Sequence, residues 1–264
     1  MKVALEYSDE RNAFFVICEK HGRVPLDDQT QSALEGLNHR QLNQKPGYVI
    51  TCPTCKQEQK EKIEQEKKMT EIRAVRKRAG VPKRFLRVRV GGWDAKIDQQ
   101  RKARSIATDY INFFGNGVDD GSSLIFAGPP GTGKTHLAAA ILNGIIDKGF
   151  TGRYTTGLML KQAVQNTYQD SAMSRQEVVK GYTDPSLLVL DEVDLMHASE
   201  DAQLIIWEVI SGRYNEVKPT ILISNLNKQQ LTDTIGERII DRMAEQGGKF
   251  VAFTWDSHRR KQNV

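Results

Sequence analysis

Eight consecutive residues, Gly128-Pro129-Pro130-Gly131-Thr132-Gly133-Lys134-Thr135, complete the spacing G-x4-G-K-[ST]. Glycines at those positions let backbone N–H groups close around a phosphate chain. A helix that follows adds the positive end of its dipole, and the lysine reaches the terminal phosphates. These eight residues and the adjoining His136 are the candidate nucleotide contacts, and the Thr135 hydroxyl is a candidate ligand of Mg²⁺. Further along, Leu187-Leu-Val-Leu190 runs straight into Asp191-Glu192. A buried strand ending in two carboxylates puts them at the sheet edge where ligands bind in open α/β folds. Asp191 is expected to complete the Mg²⁺ shell and Glu192 to orient and deprotonate an attacking water, so hydrolysis is the expected reaction. Thr220–Ser224 is a second apolar run of this kind, and it delivers Asn225 toward a γ-phosphate or the lytic water. Arg238 and Arg242 stand four apart on a helical stretch, where like charges repel unless an anion lies between or opposite them. One of them is expected to act as an arginine finger on a neighbouring subunit's nucleotide; the alternative is pairing with Glu237, Asp241 or Glu245. Arg259 follows the last strand and is placed to contact phosphate in the same chain.

A second chemistry is written near the start. The only three cysteines are Cys18, Cys52 and Cys55, an odd number clustered early in the chain and unlike a disulfide framework. Cys18-Glu-Lys-His21 and Cys52-Pro-Thr-Cys55 together supply three sulfurs and an imidazole, the donor set of a tetrahedral structural zinc, with His39 as substitute for His21. Each pair follows an apolar stretch, Ala13–Ile17 and Tyr48–Ile50, as when short strands lead into knuckle turns. A zinc-ribbon-like domain over residues 1–56 is the expectation.

The elements that position the phosphate chemistry alternate in type. Strands are expected at Leu124–Ala127, Gly152–Thr156, Leu187–Leu190, Thr220–Ser224 and Phe250–Trp255, with helices between them, which is the pattern of a parallel sheet covered on both faces. The helix after Lys134 carries Leu137, Ile141, Leu142, Ile145 and Ile146 and is expected to end at Lys148-Gly149. Residues 57–80 are mostly Lys, Glu, Gln and Arg and read as an exposed charged helix, stopped by Gly80-Val-Pro82. The α/β domain then occupies residues 81–264. A formal net charge of +5 with 27% charged residues permits an acidic partner such as nucleic acid. No run approaches the ~20 apolar residues of a membrane span and no signal peptide is apparent, so a cytoplasmic location is expected.

Taken together, the motifs resemble the AAA+ helicase loaders of the DnaC type, with the transposition helper ATPases of the IstB type as close relatives. The likeness runs from about Ala79 to Arg260 and rests on AGVPKRF at 79–85, GPPGTGKTHLAAAI at 128–141, LLVLDE at 187–192, Ser224-Asn225, GERIIDRM at 236–243 and FTWDSHR at 253–259. The resemblance implies an AAA+ core of five parallel strands between helices without a C-terminal lid domain, ATP as nucleotide, and ATP hydrolysis with low intrinsic turnover. It also implies a homo-oligomer when ATP is bound. By that likeness Asn225 is the first sensor, Arg242 the finger with Arg238 as runner-up, and Arg259 the second sensor. The partners implied are a replicative hexameric helicase and single-stranded DNA. The segment 158–169 corresponds to a helical insertion that meets the strand, with Tyr168 for stacking and Lys161 for phosphate. The amino-terminal zinc module departs from the loaders' usual short helical segment.

The expected function is thus an ATP-regulated loader that places a replicative helicase on single-stranded DNA. The competing readings are a transposition helper that binds duplex DNA, and a zinc-containing adaptor that binds ATP and scaffolds partners.

Overall fold

The structure, a computed structural model, describes residues 3–8, 11, 13–34, 51–116, 121–168, 173–196, 200–245 and 247–257. His39, Tyr48–Ile50, Gln169 and Arg259 lie outside the described residues. The chain divides into two compact units, Met1–Glu71 and Ile72–Val264.

In the first unit, strands β1 (Val3–Ser8), β2 (Ala13–Cys18) and β3 (Gly22–Pro25) form an antiparallel sheet in that order. Helix α1 (Asp28–Leu34) is started by the Asp27 carboxylate, which accepts from Thr30 N at 2.8 Å. The small core comprises Phe14, Val16, Cys18, Leu26, Leu34 and Cys52. The Gln31 amide seals it, accepting from Phe14 N and donating to Phe14 O, each at 2.8 Å. Helix α2 spans Pro53–Arg78. The strand expected to lead into Cys52 and Cys55 falls on Tyr48–Ile50, outside the described residues, and the pair itself stands at the start of this helix. Pro53 has its φ preset for the first helical position, and the run of Glu, Gln and Lys behind it propagates helix, so Cys55 lies in the first turn.

In the second unit, β4 (Leu124–Ala127), β5 (Gly152–Thr156), β6 (Leu187–Asp191), β7 (Thr220–Ser224) and β8 (Lys249–Ala252) form one five-stranded sheet in the order β5-β6-β7-β4-β8, with every neighbouring pair parallel. Because side chains alternate across a strand, Leu124, Phe126, Leu187, Val189, Ile221 and Ile223 join one core. That layer contains α3 (Asp98–Phe113) and α4 (Lys134–Asp147). Ile125, Leu188, Leu190 and Leu222 join the opposite core, with α5 (Gly157–Gln165), α6 (Arg175–Thr183), α7 (Glu200–Asn215), α8 (Lys228–Ile235) and α9 (Glu237–Ala244). Helix α4 ends as its basic, Gly-capped terminus implies, with Gly149 at φ 92°.

The last strand ends at Ala252, three residues short of the expected Trp255. Phe253-Thr-Trp255 reads as strand by composition, but Phe253 is drawn against Gly128, where a Cβ would stand 2.1 Å from Phe253 O, and Trp255 Nε1 donates to Thr132 O at 2.9 Å. The segment leaves the sheet to back the phosphate loop. Among the described residues, no helix is long and apolar enough to cross a membrane.

Candidate functional site

The loop Gly128–Thr135 leaves the end of β4 and enters α4, the position its motif requires. Gly128, Gly131 and Gly133 all have positive φ, at 141°, 81° and 96°. A Cβ on Gly133 would stand 2.9 Å from Trp93 Nε1, so both conformation and space demand glycine there. Thr132 Oγ1 donates to Pro129 O at 2.9 Å and tightens the turn. Lys134 is buried; its Nζ donates to Gly128 O at 2.6 Å, to Pro129 O at 2.8 Å and to Asn225 Oδ1 at 3.1 Å. These acceptors are neutral oxygens, and the first N–H groups of α4 lack intrahelical partners, so the loop presents a concentrated donor surface suited to an anion.

The facing wall carries the carboxylates. Asp191 is the buried last residue of β6; its Oδ2 accepts from Tyr154 OH at 2.6 Å and its Oδ1 from Glu192 N at 2.8 Å. Tyr154 is available because β5 lies beside β6; its phenol is raised far above the usual range by burial and by the Asp191 charge. Glu192 breaks from the strand with φ 55°, left-handed for a non-glycine residue. Its carboxyl is raised above the ordinary range, first by desolvation and then by Asp191 and Asp194. Asp194 fixes Asn225, accepting at Oδ1 from its N–H at 3.2 Å and at Oδ2 from its Nδ2 at 3.3 Å. The Asn225 Oδ1 is thereby turned to Lys134.

Between these walls lies a cleft of about 320 Å³ lined by Lys134, Thr135, His136, Asp191, Glu192 and Asn225, and also by Arg84, Phe85 and Tyr154. The structure thus brings together the loop, Thr135, Asp191, Glu192 and Asn225. Trp93, Arg84, Tyr154, Asp194 and Trp255 were not among the expected site residues; Arg84 within AGVPKRF at 79–85 and Trp255 within FTWDSHR at 253–259 stood in stretches that carry the family resemblance, whereas Trp93, Tyr154 and Asp194 had no such signal.

Arg238 and Arg242 sit on α9, outside this cleft. Arg238 is exposed, without a hydrogen bond or ion pair among the described residues. Arg242 stacks over Trp207 at 4.0 Å, lies 5.2 Å from the Tyr214 ring and donates to Ser211 Oγ. The expected carboxylates hold neither arginine by an ion pair. Lys161 lies on α5. Tyr168, in the single 3-10 turn behind α5, is exposed and accepts from Arg175 while donating to Asp201 at 3.4 Å.

In the first unit, Cys18, His21, Cys52 and Cys55 converge, one ligand atom from each lying within 4.8 Å of all the others. The Sγ atoms of Cys18 and Cys55 are 3.7 Å apart; His21 Nδ1 is 3.7 Å from Cys18, 3.7 Å from Cys52 and 3.3 Å from Cys55. A tetrahedral zinc with Zn–S of ~2.3 Å and Zn–N of ~2.05 Å requires edges of about 3.8 and 3.5 Å, which these spacings match. His21 Nε2 meets Glu58 Oε1 at 3.1 Å, the outer-shell carboxylate that orients a ligating imidazole. Burial opposes ionisation of Cys18, yet the N–H groups of His21 and Lys20 and the side chains of His21 and Cys55 bring it down to about 6. Cys55 is pushed up to about 11 by burial and the two neighbouring sulfurs. A cation among the sulfurs would favour their thiolate forms, and the donor set fits a tetrahedral zinc.

The profile of the family described as "IstB-like ATP binding protein" matches residues 56–264. The replicative helicase loader DnaC of Escherichia coli strain K12 is 29% identical over 199 residues, 75% of this chain and 80% of that protein. The crystal structure of the DnaC helicase loader superposes with a TM-score of 0.57 at 25% identity, covering 65% of this chain and 99% of that one. AMPPCP-bound DnaA from Aquifex aeolicus, at 23% identity, shares the fold with a TM-score of 0.56 over 68% of this chain and 53% of its own.

Proposed function

The chain belongs to the IstB-like ATP-binding protein family, and from that premise we propose that it is an ATPase of DNA replication that places a replicative hexameric helicase on single-stranded DNA. The observation that carries this reading is the likeness to the DnaC loader, which runs through most of both chains, while the family profile spans every residue that lines the nucleotide cleft.

In this reading the N–H groups of the loop and Lys134 Nζ take the β- and γ-phosphates. Thr135 and Asp191 hold Mg²⁺, which supplies neutralisation of the phosphate oxygens when bound. Tyr154 holds the Asp191 carboxylate in its rotamer. Glu192 accepts a proton from a water whose oxygen bonds to the γ-phosphorus, the bond from that phosphorus to the β,γ-bridging oxygen breaks, and ADP and inorganic phosphate leave. Asn225, fixed by Asp194, senses the terminal phosphate. Arg242 or Arg238 completes the site from an adjacent subunit of an ATP-bound oligomer, and Arg259 contributes in cis. Lys161 and Tyr168 face the strand. Residues 1–56 form a zinc domain on Cys18, His21, Cys52 and Cys55, residues 57–80 a linker, and residues 81–264 the cytoplasmic AAA+ engine.

A second reading, in keeping with a family described as IstB-like, is a transposition helper acting on duplex DNA. Binding in the presence of ATP and Mg²⁺ to a single strand and to duplex of equal length separates the two. The loader reading expects preference for the single strand and co-purification with a hexameric helicase. Duplex preference without helicase binding would overturn it. In both readings Glu192→Gln binds ATP and loses turnover by about 10²-fold or more; unchanged hydrolysis removes Glu192 from its role.

A further inference from the structure

Helix α2 changes its charge pattern along its length. Residues 56–71 hold five cations and five acids, the mixed pattern of a solvated helix. Residues 72–93 hold eight cations, Arg73, Arg76, Lys77, Arg78, Lys83, Arg84, Arg87 and Arg89, and no acid, so the rest of the chain sums to −3. Mutual repulsion among such neighbours weakens a helix unless an anion offsets it.

The structure absorbs only some of these charges. Arg76 is buried against Asp147 and donates to Leu86 O at 2.7 Å, and Arg89 reaches the same Asp147 at 2.9 Å. Arg84 lies over the Phe85 ring at 4.4 Å and lines the nucleotide cleft. Arg73, Lys77, Arg78, Lys83 and Arg87 are exposed and have no carboxylate within ion-pairing distance among the described residues. Helix-dipole complementarity covers the last turn of α2, but Lys83 and Arg87 lie beyond it.

The backbone that carries these cations is held rigidly. Ala79 O accepts from Tyr154 N at 2.6 Å on edge strand β5, and Asn143 Nδ2 donates to Phe85 O at 2.8 Å and Val88 O at 3.1 Å. Exposed cations on a pinned platform lose little order on meeting a polyanion, in contrast to those of a loose basic tail.

We propose that the stretch Arg73–Arg87 is a nucleic-acid-binding surface that takes the sugar–phosphate backbone of a single strand. The choice of a single strand rests on the loader reading; the choice of a phosphate backbone rests on the run of one-signed charge. Contacts of this kind position a strand without reading its bases.

The test measures binding of the full chain to oligothymidylate across a salt series. Two variants are compared with the parent: one with Arg73→Gln, Lys77→Gln, Lys83→Gln and Arg87→Gln, the other with Lys60→Gln, Lys62→Gln, Lys67→Gln and Lys68→Gln. The first variant should lose at least tenfold in affinity and reduce the slope of log K against log salt by about 3, since each single-strand phosphate contact contributes roughly 0.7. It should keep its DNA-free ATP turnover, which reports an intact fold. The second should bind like the parent. Equal losses in both variants would reduce the effect to net charge and overturn the assignment, as would no loss in the first. Parent protein that holds poly-glutamate or anionic vesicles as tightly as the oligonucleotide would overturn the choice of nucleic acid. A parent that binds neither single strand nor duplex would overturn this surface together with the DNA part of the loader reading. Unaltered binding by the first variant would leave that reading standing.

Discussion

Lys134 Nζ lies 3.1 Å from Asn225 Oδ1, joining the phosphate loop after β4 to the residue that closes β7. The lysine is held over the place where terminal phosphates would lie, and the asparagine would register whether one is present. Lys134→Ala should abolish ATP binding in a fluorescence titration, because loop N–H groups alone cannot neutralise the terminal phosphates. Asn225→Ala should bind ATP within a few-fold of the parent and hydrolyse it about 10²-fold more slowly, the scale of one lost preorganised group. Equal affinity in Lys134→Ala and the parent contradicts the first assignment.

Tyr154 and Asp191 make a second testable pair. With the 2.6 Å hydrogen bond removed, Tyr154→Phe should keep the fold yet raise the Mg²⁺ concentration for half-maximal hydrolysis by about tenfold, as loss of an outer-shell partner does. A variant with the parent's Mg²⁺ requirement would make the tyrosine a packing residue only.

The amino-terminal cluster should hold one zinc per chain, released by chelator and lost in Cys52→Ser. Glu58→Gln should weaken zinc binding about tenfold through His21 while leaving all four ligands in place. Since the second unit has its own cores, its ATP binding should survive zinc removal. Elemental analysis that finds no metal in protein purified without chelators ends this account.

The two arginines of α9 separate by environment. Arg242 is tied to Trp207 and Ser211, so Arg242→Ala should lower stability by roughly 1 kcal/mol from the lost cation–π contact. Arg238 is exposed, and Arg238→Ala should leave stability unchanged. Whichever acts on a neighbour's nucleotide should, on truncation, cost on the order of 10³-fold in the oligomer's turnover. Partial rescue is expected on mixing it with Lys134→Ala chains, since each supplies the half-site the other lacks. Parent-like turnover in both variants at every protein concentration removes the finger from α9.

The chemistry legible in the sequence is chemistry written in contiguous residues. The loop, Asp191-Glu192 and Asn225 each combine an apolar strand with a polar end, and β6 and β7 run as those residues imply. The convergence of Cys18, His21, Cys52 and Cys55 was readable from two short spacings. Tyr154, Asp194 and Trp93 were not, because each reaches its partner only through strand order or packing. Tyr154 meets Asp191 across 37 positions of sequence because β5 pairs with β6. Local propensity misled where a close approach overruled it, as at Phe253–Trp255 behind Gly128.

The central claim is that the nucleotide cleft serves helicase loading. The direct measurement is transfer of a purified replicative hexameric helicase onto closed circular single-stranded DNA, with ATP and Mg²⁺, by the parent chain and by Lys134→Ala. The account predicts helicase on the circle with the parent and a loss of at least tenfold with Lys134→Ala. No helicase on the circle with the parent, while the chain hydrolyses ATP and prefers duplex DNA, would contradict it.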